Sequence, residues 1–219
     1  MSAEQCLRVS AGGASAALPT ILLVPPLFDE ANRMRRTLVL TMRALADLGH
    51  ASLLPDLPGQ NDSLIETQDV TLQMWRDALA GFAAAHSGPF IIASWRGGAL
   101  IDDAAANAIG WWRMAPVTGA SIVKTLIRVR IAGEKEAGRS ATAEQLREAA
   151  GQSAVDLGGN RLTAKMLAGL DAATPAPVSP LLTRSPSDVA GSALWLRAEP
   201  GEDAGMAGAM AADIAAWAK

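Results

Sequence analysis

At 219 residues, half of them hydrophobic and 19% charged, the chain is long enough for one domain with a sizeable core and too apolar to be disordered. The net charge of −3 and the scattered Lys and Arg residues give no footprint for nucleic acid. Cys6 is the only cysteine, which excludes an intrachain disulfide and any cysteine-based metal site. Glu4 stands where a leader peptide carries positive charge, and no apolar run approaches the ~20 residues of a membrane span, so a cytoplasmic protein without a span is expected.

Thr20–Pro25 is a continuous apolar run bounded by prolines, as in a buried parallel strand. A loop leads to a helix over Arg33–Leu48, with Met34, Leu38, Met42, Leu45 and Leu48 at near-helical spacing and Gly49 as its stop. Ala51–Pro55 reads as a second strand and Thr71–His86 as a second helix. Pro89–Ser94 reads as a third strand, breaking at Trp95-Arg96-Gly97-Gly98 into a helical run over Ala99–Ala108. Gly110–Ala115, with Trp111 and Trp112, reads as a fourth strand closed by Pro116. This alternation predicts an α/β fold with a parallel sheet covered on both faces.

From residue 119 the alternation stops. A helix with Ile122, Leu126 and Val129 on one face, a helix begun by Thr142 and capped with Gln145, a turn at Gly158-Gly159 and a helix over Thr163–Leu170 suggest a helical cap. Prolines 175, 177, 180 and 186 then mark a loop back, and Ser192–Arg197 reads as a further strand before a last helix. The expected division is a core of 1–118 and 189–219 with a cap insertion at 119–188.

Ligands of open parallel sheets bind at the carboxyl ends of the strands. There, Ser94-Trp95-Arg96-Gly97-Gly98 has the strand–turn–helix setting of a nucleophile elbow, usually G-x-S-x-G, with Arg96 at the apex. Several segments together resemble α/β hydrolases: Thr20–Pro26 the strand before the oxyanion loop, Asp56, Gly59 and Ser63 the D-x-x-G-x-x-x-S loop, and Leu194–Asp203 the region that often carries the acid. More narrowly, the chain is similar to the second type of hydrolase-like proteins that accompany bacterial exosortases. The likeness rests on Pro25-Pro26-Leu27-Phe28-Asp29-Glu30-Ala31-Asn32 with Arg35-Arg36, on Leu53–Ser63, on Arg96 and on Trp112–Gly119. It implies an α/β-hydrolase-like core with a cap, and a context of exopolysaccharide production and protein sorting. Measured against that family's fold, a terminal strand carrying the catalytic His is expected to be missing.

Triad chemistry needs a nucleophile, a base and an acid within hydrogen-bond reach. His50 and His86, the only histidines, both precede strands and so fall at the opposite edge of the sheet. A guanidinium is neither base nor nucleophile near pH 7, but it holds anions well beside a helix N-terminus. Catalytic residues are therefore unassigned, with Ser94, Ser63, Glu202 and Asp203 as the remaining candidates. Ligand binding is expected at Arg96, Trp95, Phe28, Glu30 and Asp56, for a small anionic or acyl-type ligand. The competing expectation is that Arg96 is neutralised internally by Glu30, Glu202 or Asp203. No cofactor or metal is expected: Asp56, Asp62 and Glu66 are joined by no His or Cys. The primary reading is a pseudoenzyme that binds. The alternatives are an ester or thioester hydrolase or acyltransferase with relocated acids, and a module that pairs with a protein partner or a second copy through the cap.

Overall fold

The computed structural model describes residues 4–11, 18–197 and 199–219. Its centre is a six-stranded sheet of β1 (Cys6–Val9), β2 (Thr20–Val24), β3 (Ser52–Pro55), β4 (Phe90–Trp95), β5 (Trp111–Met114) and β8 (Leu181–Arg184). The spatial order is β1-β3-β2-β4-β5-β8, and only β1 runs antiparallel. β2 and β4 are flanked on both edges and covered on both faces, which is why their residues are apolar without alternation.

Alternate residues of each strand feed two cores. Ile21, Leu23, Ile91, Ala93, Trp95 and Trp112 point to one face, where α1 (Asp29–Asp47) and α6 (Ala204–Trp217) pack together. Leu22, Val24, Phe90, Ile92 and Trp111 point to the other, covered by α2 (Leu72–Ala85). The second face also receives the segment between β5 and β8, made of α3 (Gly119–Glu136), α4 (Ala143–Gln152), the hairpin β6 (Val155–Leu157)–β7 (Asn160–Leu162) and α5 (Ala164–Ala172). Thr142 and Gln145 form the expected capping box on α4, and Gly158 and Gly159, both at positive φ, make the hairpin turn.

The structure corrects three expectations. The strand beyond β5 is Leu181–Arg184, inside the stretch expected as insertion, and it pairs in parallel register with β5. Prolines at 180 and 186 bracket it; at an edge strand the missing N–H groups cost no ladder bonds. Ser192–Arg197 is not a strand. Its Leu194–Leu196 is a single 3-10 turn that buries Leu194 and Trp195, and the Trp195 carbonyl accepts from Arg33 at 3.0 Å. Ala99–Ala108 is likewise not a continuous helix but 3-10 turns at Arg96–Leu100 and Asp102–Ala104. Arg76 takes the Leu100 carbonyl and Trp111 that of Asp102, so side chains claim two carbonyls that an α-helix would use. Among the described residues no strand follows β8, and no helix is long and apolar enough to cross a membrane.

α6 is tied to the sheet by Asp213, which accepts from Trp112 at 2.6 Å and from Arg184 twice at 2.9 Å. The bonds from Arg184 hold the Asp213 carboxyl below its ordinary range. A lowered carboxyl stabilises the fold above its unfolded pKa, and that contribution disappears as pH falls through the folded value. Asp213→Asn is thus expected to flatten the decline of urea-unfolding stability below about pH 4, while lowering stability at pH 7.

Candidate functional site

The turn after β4 is built as an elbow. Arg96 sits at its apex with φ 55°, in the left-handed region that L side chains enter only at a cost. The glycines after it are there for space. A Cβ on Gly98 would stand 2.5 Å from the Pro25 carbonyl and 2.7 Å from that of Val24. One on Gly97 would meet Ile122 at 2.6 Å and Leu27 at 3.0 Å. The chain can therefore turn at Arg96 only by pressing its backbone against the end of β2.

Strain gathers around this point. Phe28 after β2 (φ 58°) and Ala115 after β5 (φ 45°) are also left-handed, so three neighbouring strand ends carry non-glycine residues in that region. Phe28 starts α1 and so places Glu30 in its first turn, opposite the apex. Arg96 Nε donates to Glu30 Oε2 at 3.1 Å and Nη2 to Glu30 Oε1 at 3.2 Å. Nη1 donates to the Ala115 carbonyl at 3.2 Å. The Trp195 ring lies under the guanidinium, 4.8 Å from its carbon, adding a cation–π contact. The side chains of Arg96 and Glu30 keep 17% and 21% exposure, so the pair is shielded but reachable.

Of the expected ligand contacts, only Glu30 and Arg96 meet. Trp95 is fully buried beneath the cluster, in the same core as Trp195, with its ring tilted against Trp112 at 5.4 Å and its N–H on the Met210 sulfur, so it presents no surface to a ligand. Phe28 turns edge-on to Trp75 at 5.3 Å, within the core. Asp56 accepts from Arg35 and Asn61 at 2.8 and 2.6 Å. Trp195 takes the aromatic place expected of Trp95.

None of the catalytic candidates is poised to react. Ser63 accepts the N–H groups of Gly59 and Ile65 and donates to Glu4, which makes it a turn-builder. Glu202 pairs with exposed Arg36, and Asp203 caps α6 by accepting the Met206 N–H at 2.9 Å. His50 is buried, with Nδ1 3.0 Å from the Pro19 carbonyl, and His86 packs on Phe90. Both histidines precede strands, so the six residues of β4 separate His86 from the apex by roughly 15–20 Å at ~3.3 Å per residue. Among the described residues no three His, Cys, Asp or Glu side chains gather as a metal would require.

Ser94, fully buried, donates to Asp102 Oδ2 at 2.7 Å. Arg113 clamps the same carboxylate through Nε and Nη2 at 2.8 and 2.7 Å, and its Nη1 reaches the Ala176 carbonyl at 2.8 Å. Burial raises the Asp102 carboxyl above its ordinary range, with Arg113 and Ser94 pulling it part of the way back. The trio fastens β4 to β5 and to the segment before β8. Arg113 was the readable signal: an arginine inside a buried strand requires a buried acceptor.

The apolar stripe proposed for partner contact also divides. Leu126 is buried against the body and only Val129 is open, so a polar substitution at Leu126 would attack folding.

No protein-family model matches the chain, and no curated protein sequence does. Among solved structures, it is similar to Est1E from Butyrivibrio proteoclasticus with ferulic acid bound (TM-score 0.55, 16% identity), covering 76% of this chain and 66% of that one. A second Est1E structure matches at TM-score 0.50 and 15% identity, covering 75% and 63%. The chain thus spans about two thirds of the length of Est1E. Alpha/beta hydrolase domain-containing protein 10 from mouse matches at TM-score 0.54 and 14% identity over 97% of this chain and 92% of that one. The chain has the α/β-hydrolase fold.

Two substitutions separate the roles. Asp102→Asn, which leaves Arg113 buried without its counter-charge, is expected to lower unfolding free energy by about 3–5 kcal/mol. Asp102→Leu with Arg113→Met is expected to recover most of that loss in the same urea titration. Gly98→Ala is expected to cost about 3 kcal/mol through backbone clash.

Proposed function

We propose that this protein is a catalytically degenerate α/β-hydrolase-like protein that binds a small acyl-type ligand at the Arg96 apex and does not turn it over. The observation that carries this reading is the two-bond pairing of Arg96 with Glu30 at the place of a nucleophile. A guanidinium has no lone pair to attack with and holds its proton near pH 7. Glu30, the one acid bonded to the apex among the described residues, is committed to it, and both histidines precede strands at the other edge of the sheet.

Three strained residues argue for a site kept in use. Left-handed non-glycine conformations cost on the order of 1–3 kcal/mol each and persist where surrounding structure maintains them, commonly at ligand sites. Of the five N–H groups of a guanidinium, three donate to Glu30 and Ala115. Two remain for a ligand oxygen. With its charge already balanced by Glu30, Arg96 favours the carbonyl of an ester, amide or lactone over a free anion. The motifs at Pro25–Arg36, Leu53–Ser63 and Trp112–Gly119 support a bacterial cytoplasmic setting beside exopolysaccharide production and exosortase systems.

Two measurements test the reading. A fluorophosphonate probe and panels of ester, thioester and lactone substrates are expected to give no labelling and no turnover above background. Calorimetric titration with a substrate-sized ester or lactone is expected to give binding that Arg96→Ala removes. Saturable turnover that vanishes in Ser94→Ala or Arg96→Ala would overturn the proposal.

A further inference from the structure

A cavity lies towards the β1 edge of the sheet, two strands from β4, and shares no residue with the Arg96 cluster. It holds about 540 Å³ between the end of β3, the loop after it and α2, with Glu4 and Gln5 beside them. That volume falls within the range of small-molecule sites, roughly 300–1,000 Å³. Leu57, Ile65, Met74, Leu79 and Phe82 give it apolar walls.

Its charge is one-sided. Glu4, Asp56 and Asp77 line it, and among the described residues no Lys, Arg or His does. Asp56 is the informative one, with its side chain only 3% exposed. Oδ1 takes both Arg35 and Asn61, while Oδ2 accepts no hydrogen bond among the described residues. Glu4 accepts only the Ser63 hydroxyl and Asp77 only the Gln73 amide, both without a cation among the described residues. Among the described residues, Asp56 alone of the three carboxylates is paired with a guanidinium, that of Arg35. Oδ2 is not sealed from solvent, and a charged donor binds such a carboxylate oxygen about twice as strongly as a neutral one.

We propose that this cavity is a binding site for a small amine with an apolar body. The ammonium is held by Asp56, the more exposed Glu4 and Asp77 add to the negative field, and the walls take the hydrocarbon. This site stands independently of the reading of the Arg96 apex.

The test is calorimetric titration of the full chain at pH 7 with octylamine, octanol and octanoate. Octylammonium is expected to bind one site at least about tenfold more tightly than octanol, the margin of one charge-assisted hydrogen bond, and octanoate not to bind. A Cβ on Gly81, which lines the cavity from α2, meets nothing within 4 Å, so Gly81→Leu is accommodated and fills the space. It is expected to weaken octylammonium by about tenfold or more, with an unchanged or raised melting temperature. Gly133→Leu, at an equally open helical position on α3, is expected to leave the affinity at its original value. Asp77→Asn is expected to narrow the margin of amine over alcohol. Octanoate binding as tightly as octylammonium, or Gly81→Leu retaining full amine affinity, would overturn the assignment.

Discussion

The clamp of Arg113 on Asp102 organises the molecule around its centre. Arg113 lies on β5, Asp102 in the turns after the elbow, Ser94 on β4 and Ala176 in the return to β8, so one buried carboxylate fixes four pieces of chain. A buried ion pair is weak evidence for stability in itself, because desolvation offsets most of the attraction. Its value here is geometric. With the Asp102 carboxylate satisfied on both oxygens, the chain after Arg96 folds into short 3-10 turns, and the elbow is held against β2. The same clamp gives the Ser94 hydroxyl a fixed partner in a sealed space.

The interior strands and the two long helices were legible because burial on both faces demands unbroken apolar runs and a covering helix shows its period. The edges were not. β1 and β8 are four residues each and half open to solvent, so their composition resembles loop, and β8 lies among prolines that ordinarily signal a turn. In the site, the apex could be read from local steric rules, since strand, tight turn and glycines are adjacent in sequence. Glu30 was one of three acids that could have answered Arg96, and distance alone selected it. Trp195 comes from almost one hundred residues further on, and no local pattern distinguishes a tryptophan that stacks on a guanidinium from one that fills a core. The exchange of Trp95 for Trp195 shows where local reading stops: both rings lie in one core, and only the packing decides which of them reaches the guanidinium.

The elbow is a mechanical device before it is a chemical one. Its positive-φ apex, the space-demanding glycines and the backbone packed against Val24 and Pro25 present whatever side chain stands at 96 above the sheet. In this chain that side chain is long, charged and anchored at three points. The scaffold that would aim a nucleophile instead fixes a hydrogen-bond donor, with α1 supplying the counter-charge and the segment before α6 supplying the aromatic floor.

The Arg96–Glu30 pairing also bears on how the apex meets the surrounding solution. A lone guanidinium in a protein of net charge −3 would gather counter-ions, and its ligands would compete with chloride and phosphate as ionic strength rose. A guanidinium already matched by a carboxylate is electrically quiet at a distance. Two of its N–H groups keep their direction whatever the ionic strength, so salt changes little of what the apex presents to the solution.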